Sequence, residues 1–144
     1  MHHNEPIQLK TSKKIDVRFS EVDSMNIVWH GSYALYFEDA REQFGRDFGL
    51  SYMFYFDNGY YAPLVDLNFS YKKPLLYGQQ AIIDIIYRNV LATKIIFDYE
   101  IRLSSDDSLI ATGSSTQVLL DRDYNLVWTN PPFYEEWKRK YDLL

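Results

Sequence analysis

Residues 31–49, GSYALYFEDAREQFGRDFG, set Tyr33, Phe37, Ala40, Phe44 and Phe48 on one stripe at helical spacing; downstream the apolar spacing switches from 3.6 to 2. In LVDLNFSY, Val65, Leu67, Phe69 and Tyr71 alternate with Asp66, Asn68 and Ser70; in IFDYEIRL, Phe97, Tyr99, Ile101 and Leu103 alternate with Asp98, Glu100 and Arg102. QQAIIDIIYR and LIATGSSTQVLLD read as two more strands, divided by the turn stretches KKPLLYG, NVLATK and SSDDS, and KKIDVRFS as an opening strand before the helix. A sheet with one wet face must bury the other on something, and the single long helix is the available filling. The expected class is therefore α+β: a long central helix wrapped by an antiparallel sheet of about five strands, ordered as a meander. After a double proline, PPFYEEWKRKY predicts a short terminal helix with Phe133, Trp137 and Tyr141 on one side.

The helix has readable ends. His30, Gly31 or Ser32 forms its N-cap region, and Gly49 stands just past its C-terminus. Gly45 inside it costs about 1 kcal/mol relative to Ala and marks a close neighbour. Glu38, Arg41, Glu42 and Arg46 are spaced for i,i+3 and i,i+4 ion pairs, with Glu38 expected on Arg41.

Size and charge bound what such a domain can do. The 144 residues suit one domain spanning 1–144, with no linker or repeat. A net charge of -5 argues against nucleic-acid partners, which require a basic excess or stripe. With no cysteine, disulfides and thiolate chemistry are excluded, and the expected location is the cytoplasm. Of three histidines, His2 and His3 sit at the terminus, so no metal centre is expected. No apolar run approaches the roughly 20 residues of a membrane span. Aromatic residues make up 17%, with 13 Tyr, suited to pockets and interfaces as well as to a packed sheet.

The stretch SEVDSMNIVWHGSY places the carboxylate of Asp23 seven residues ahead of His30 with no helical periodicity between them. An aspartate carboxylate is ionised at neutral pH and can attack a carbonyl or activate water. A helix start offers unpaired N–H groups and positive dipole to an oxygen that gains charge. Asp23 can also simply cap its own loop, and the His30 side chain its own backbone.

VRFSEVDSMNIVWHGSYALYFEDAR, residues 17–41, resembles the signature of the 4-hydroxybenzoyl-CoA thioesterase-like family of hotdog-fold acyl-CoA thioesterases. YKKPLLYGQ resembles that family's basic-Pro-Gly turn, and IATGSSTQVLLDRD its last long strand, so the resemblance spans nearly the whole chain. It implies a hotdog fold and hydrolysis of an acyl-CoA, with coenzyme A as part of the substrate and no further cofactor. It implies Asp23 as nucleophile or general base, and the amide of His30, with Gly31 beside it, as the oxyanion donor. Glu38 is the rival carboxylate, because some hotdog thioesterases use one on the central helix. Asn26 stands where the family has glycine; both residues tolerate positive φ, so the loop is expected to survive. Candidate substrate-binding residues are Asn26, Tyr33 and the cations Lys72, Lys73, Arg88 and Lys94, with Tyr52, Phe54, Tyr55 and Phe56 lining an acyl pocket or packing as a lid. The family's members pair edge to edge, which implies a homodimer or homotetramer with a shared site. An acyl-carrier-protein thioesterase and a non-catalytic acyl-CoA binding module share the pattern and stay open.

Overall fold

The computed structural model describes residues 8–144; His2 and His3 lie outside them. The elements run β1 (Lys10–Asp16), a 3-10 turn (Phe19–Glu21), α1 (Ser32–Phe48), α2 (Tyr52–Asp57), β2 (Leu64–Tyr71), β3 (Gln80–Arg88), β4 (Lys94–Leu103), β5 (Leu109–Val118) and α3 (Pro132–Lys140). The five strands form one sheet in the order β1-β3-β4-β5-β2, with every neighbouring pair antiparallel.

The helix wrapped by a five-strand antiparallel sheet is the architecture the sequence pattern predicts. On α1, Phe37, Ala40 and Phe44 are fully buried. Phe37 stacks on Tyr99 of β4 with centroids 4.3 Å apart, and Phe44 meets Phe97 edge-on at 4.8 Å. Each such ring contributes roughly 1.5–3 kcal/mol by leaving water. The helix ends where Gly49 turns left-handed at φ 84, with its N–H on the Gly45 carbonyl at 2.8 Å. At Gly45 an added Cβ would sit 3.0 Å from the Leu50 carbonyl oxygen and from the Ser51 Cα; that absence of a side chain lets the chain fold back into α2.

Three expectations change. Only β3-β4-β5 form a meander; β1 and β2, adjacent in sequence order, lie on opposite edges, because α1 and α2 carry the chain across the sheet between them. The opening strand covers Lys10–Asp16 rather than 13–20, since Val17 is the last residue to bond the sheet edge, donating to the Gln79 carbonyl, before the chain turns at Phe19. Arg41 forms no ion pair with Glu38; its guanidinium turns inward and donates to the Tyr99 hydroxyl at 3.0 Å.

Candidate active site

The loop between β1 and α1 begins with Glu21, whose side chain turns into the protein. One carboxylate oxygen of Glu21 accepts both the Tyr36 hydroxyl at 3.0 Å and the Arg18 N–H at 2.8 Å. Its backbone carbonyl accepts the Trp29 N–H at 2.8 Å and the Ser32 hydroxyl at 3.2 Å. This one residue ties both ends of the loop to the first turns of α1. Burial and the adjacent Glu21 carboxylate push the Tyr36 phenol up, so it stays a donor.

Beyond Glu21 the chain makes a tight hairpin. Asp23 donates its N–H to the Ile27 carbonyl at 2.8 Å and accepts the Asn26 N–H at 3.0 Å, and Val22 bridges Val28. Asn26 adopts φ 65, the left-handed conformation that the usual glycine would take, so the departure from the family pattern leaves the turn intact. The hairpin is pinned from outside: Val28 N–H donates to the Leu75 carbonyl at 2.8 Å and Tyr77 N–H to the Asn26 carbonyl at 3.3 Å.

Asp23 Oδ1 accepts the N–H groups of Met25 at 2.8 Å and Ile27 at 3.2 Å, whereas Oδ2 has no hydrogen-bond partner among the described residues. The carboxylate therefore caps its loop with one oxygen and keeps the other available. Eight residues on, Gly31 is the N-cap of α1, with no side chain capping it. The backbone N–H groups of His30 and Gly31 donate to nothing among the described residues, since the first loop bonds into the helix start come from Ser32 and Tyr33. Nor does the His30 imidazole make a hydrogen bond among them; its ring lies 4.9 Å from that of Trp29. Trp29 lies over Gly31 so closely that a Cβ there would fall 2.0 Å from the indole, and a side chain at this position would have to displace that exposed ring.

A cavity of about 380 Å³ gathers Asp23, His30, Tyr33, Lys72 and Lys73, with Trp29, Tyr71 and Pro74 among its walls. Tyr33 is buried, and its phenol is pushed up to about 12 by burial and by Tyr71, so it remains neutral. Lys73 Nζ donates to Ser108 at 3.2 Å, and Lys72 has no ion-pair partner among the described residues. Asn26 shapes the turn without lining the cavity.

Arg88 and Lys94 are not brought to this cavity. Val17 and the Asp23 loop lie at the Gln80 end of β3, whereas Arg88 ends that strand about 26 Å away at 3.3 Å per residue. There Arg88 is committed to Asp98 on the sheet's outer face, and Lys94 starts β4 at the same far end. Glu38 lines a different cavity, between α1 and α2. Tyr55 forms part of that second wall and is buried, whereas Tyr52 is mostly exposed at its rim. Phe54 packs edge-on against Phe133 of α3. Among the described residues no group of three or more His, Asp or Glu side chains converges for a metal ion, and no described helix is long and apolar enough to cross a membrane.

A profile of the Thioesterase-like superfamily matches residues 17–138, from just past β1 into α3. The chain belongs to this superfamily. Among its thioesterase-like relatives, a putative acyl-CoA thioesterase, YneP of Bacillus subtilis, is 32% identical over 113 residues, 78% of this chain and 81% of that protein. The solved DHNA-CoA thioesterase of Staphylococcus aureus superposes with a TM-score of 0.81 at 26% identity, covering 92% of this chain and 91% of that one. A variant of 4-hydroxybenzoyl-CoA thioesterase complexed with 4-hydroxybenzoyl-CoA superposes at 0.76 over 88% of this chain and 97% of that one, and at 14% identity the likeness is one of fold. The fold of this thioesterase-like chain is the hotdog fold.

Glu21 and Tyr36 are the site residues that sequence reasoning missed. Glu21 stands two places before Asp23 in a strand-end context that leaves its direction undecided, and Tyr36 reads as one more core aromatic. Glu21→Ala is expected to lower turnover about tenfold or more by freeing the loop. Glu21→Gln keeps an oxygen for Tyr36 and Arg18 and is expected to retain most of it. Steady-state kinetics beside melting curves check this; equal losses in both variants would assign the effect to charge rather than to position.

Proposed function

We propose that this thioester hydrolase cleaves acyl-CoA to a free carboxylic acid and CoA in the cavity of Asp23, His30 and Tyr33. The observation that carries the reading is the placing of Asp23, with one unbonded carboxylate oxygen, and His30, with an undonated N–H, on a single cavity, the undonated N–H of Gly31 following next along the chain. Asp23 Oδ2 acts as nucleophile on the thioester carbon or as base toward water. The amides of His30 and Gly31 receive the carbonyl oxygen as it becomes negative, helped by the positive end of α1. No further cofactor enters. The released thiolate is a good leaving group, so no general acid is needed for it.

Lys72 is the available cation for the phosphates of CoA on an otherwise acidic chain. Self-association into a homodimer or homotetramer is supported by β2, a sheet edge that leaves Leu64 and Val65 exposed, and by exposed Leu35 on α1. The chemistry and the absence of cysteine fit the cytoplasm.

One experiment tests both points: thiol release from short, long and aromatic acyl-CoAs, with light scattering on the same sample. The reading expects release from at least one acyl-CoA, inhibition by free CoA and a species larger than the monomer. Release that free CoA does not inhibit would favour an acyl-carrier-protein substrate, and no release at all would leave a binding module. Entry of solvent oxygen into Asp23 during a single turnover would mark it as nucleophile.

A further inference from the structure

Most of the buried tyrosines have partners for their hydroxyls among the described residues: Tyr36 donates to Glu21 at 3.0 Å, Tyr99 shares a 2.6 Å hydrogen bond with Ser115 Oγ, and Tyr87 is bonded to Tyr134. The Tyr33 hydroxyl has no partner among them. The residue is 3% exposed, yet its hydroxyl is not one of the enclosed polar atoms without a partner, which among the described residues are Ser104 Oγ and Asn130 Oδ1. A residue so deeply buried, with a hydroxyl that is neither bonded nor sealed in, meets open space through that hydroxyl, and the space it lines is the Asp23 cavity.

The group is held in place and kept in its donor form. Tyr33 stands in the first turn of α1, its N–H on the His30 carbonyl at 3.3 Å, and the rings of Tyr71 and Tyr36 flank it edge-on at 5.1 and 5.9 Å. Burial, with Tyr71 beside it, pushes its phenol up to about 12, so it keeps its proton at neutral pH. A hydroxyl taken out of bulk water without a partner is costly. Asp23 Oδ2, on the same cavity, lacks a partner too among the described residues, and as a carboxylate oxygen it can only accept. One water satisfies the donor and the acceptor together, since a bound water takes about three hydrogen bonds, and it keeps a lone pair for attack.

We propose that the Tyr33 hydroxyl holds the water that hydrolyses the thioester, donating to one of its lone pairs while Asp23 Oδ2 accepts one of its hydrogens. This role rests on the reading of the cavity as the hydrolytic site, and it makes Asp23 the base rather than the nucleophile. The water's remaining lone pair forms the new C–O bond at the thioester carbon as Asp23 takes the proton. The carbonyl π pair moves onto the oxygen, which the helix start receives. When that pair returns, the C–S bond breaks and its electrons leave with the sulfur, which takes up the proton by way of solvent. Tyr33 keeps its own proton throughout.

Tyr33→Phe keeps the ring between its two neighbours and removes the oxygen alone. Thiol release from acetyl-, palmitoyl- and benzoyl-CoA, corrected for the uncatalysed reaction, is expected to fall about tenfold or more in kcat, with KM within about twofold of native. Hydroxylamine in the same assay separates water placement from packing, because it attacks the thioester without a base and diverts the acyl group to a hydroxamate. Tyr33→Phe is expected to form acid more slowly by the factor seen in kcat while forming hydroxamate at close to the native rate. Release that Asp23→Asn abolishes but Tyr33→Phe leaves within about twofold of native would overturn this role and keep the site. Acid and hydroxamate falling by the same factor, or entry of solvent oxygen into Asp23 during a single turnover, would also overturn it. No release by the native protein from any of the three substrates would overturn both the role and the site.

Discussion

Replacing Asp23 by asparagine is expected to lower the rate of thiol release from acyl-CoA by about two to four orders of magnitude, the scale of losing a nucleophile or general base. The substitution isolates chemistry from structure because the two side chains have the same shape. Asp23 Oδ1 holds the Met25 and Ile27 N–H groups, and the amide oxygen of asparagine can accept both. What disappears is the charge on Oδ2, which supports nothing in the loop. The melting temperature and the oligomer should therefore hold while kcat falls and KM stays within a few-fold. Turnover within tenfold of native would remove Asp23 from the reaction and direct attention to Glu38.

Raising the pH beyond the ordinary tyrosine range is expected to unfold the protein steeply. Tyr33, Tyr36, Tyr55, Tyr87, Tyr99 and Tyr134 are all buried, and burial pushes every one of these phenols above the ordinary 10.0. Arg41 beside Tyr99 and Arg18 near Tyr36 offset part of the rise at those two phenols. The unfolded chain gives up these protons near 10, whereas the folded chain keeps them. Their stabilisation is thus whole below that pH and drains away as the pH climbs through the folded values. Tyr33 alone, raised to about 12, accounts for roughly 3 kcal/mol across that interval. Several such groups rival a whole domain's stability of roughly 5–15 kcal/mol. Circular dichroism and tyrosinate absorbance followed together should show late ionisation and unfolding in one cooperative step. All the tyrosines titrating near 10 with the ellipticity unchanged would refute it.

The parts of this molecule written in short-range pattern could be read before the structure. The stripe Tyr33, Phe37, Ala40, Phe44 fixes α1 because it repeats every turn, and Gly49 fixes its end because φ 84 suits no other residue as well. Asp23, His30 and Gly31 stood out through the resemblance of one local motif, and the turn that joins Asp23 to the start of α1 is likewise local. Pairings settled by distant partners did not stand out. Arg41 looks like half of an i,i+3 ion pair until Tyr99, 58 residues away, claims it. Arg88 looks like a free strand-end cation until Asp98 arrives across the sheet. The start of β1 was hidden because Lys10–Lys14 is polar on both faces, its outer side serving the buried Asp84 through Ser12 at 2.6 Å. The sheet order was hidden for a related reason: alternation tells which face of a strand is buried but not which strand lies beside it.

The hairpin that carries Asp23 is pinned by Leu75 and Tyr77, about fifty residues further along the chain. Of the sheet's edges, β1 finds its partner through contacts such as Ser12 to Asp84, 72 residues apart. Closing loops of that length is slow relative to winding a helix, so α1 can form long before it has a sheet to lie on. During synthesis the Asp23 carboxylate and the helix start leave the ribosome early and remain without their fixed separation until Leu75 and Tyr77 follow, so the candidate active site takes its shape well after its own residues have been made.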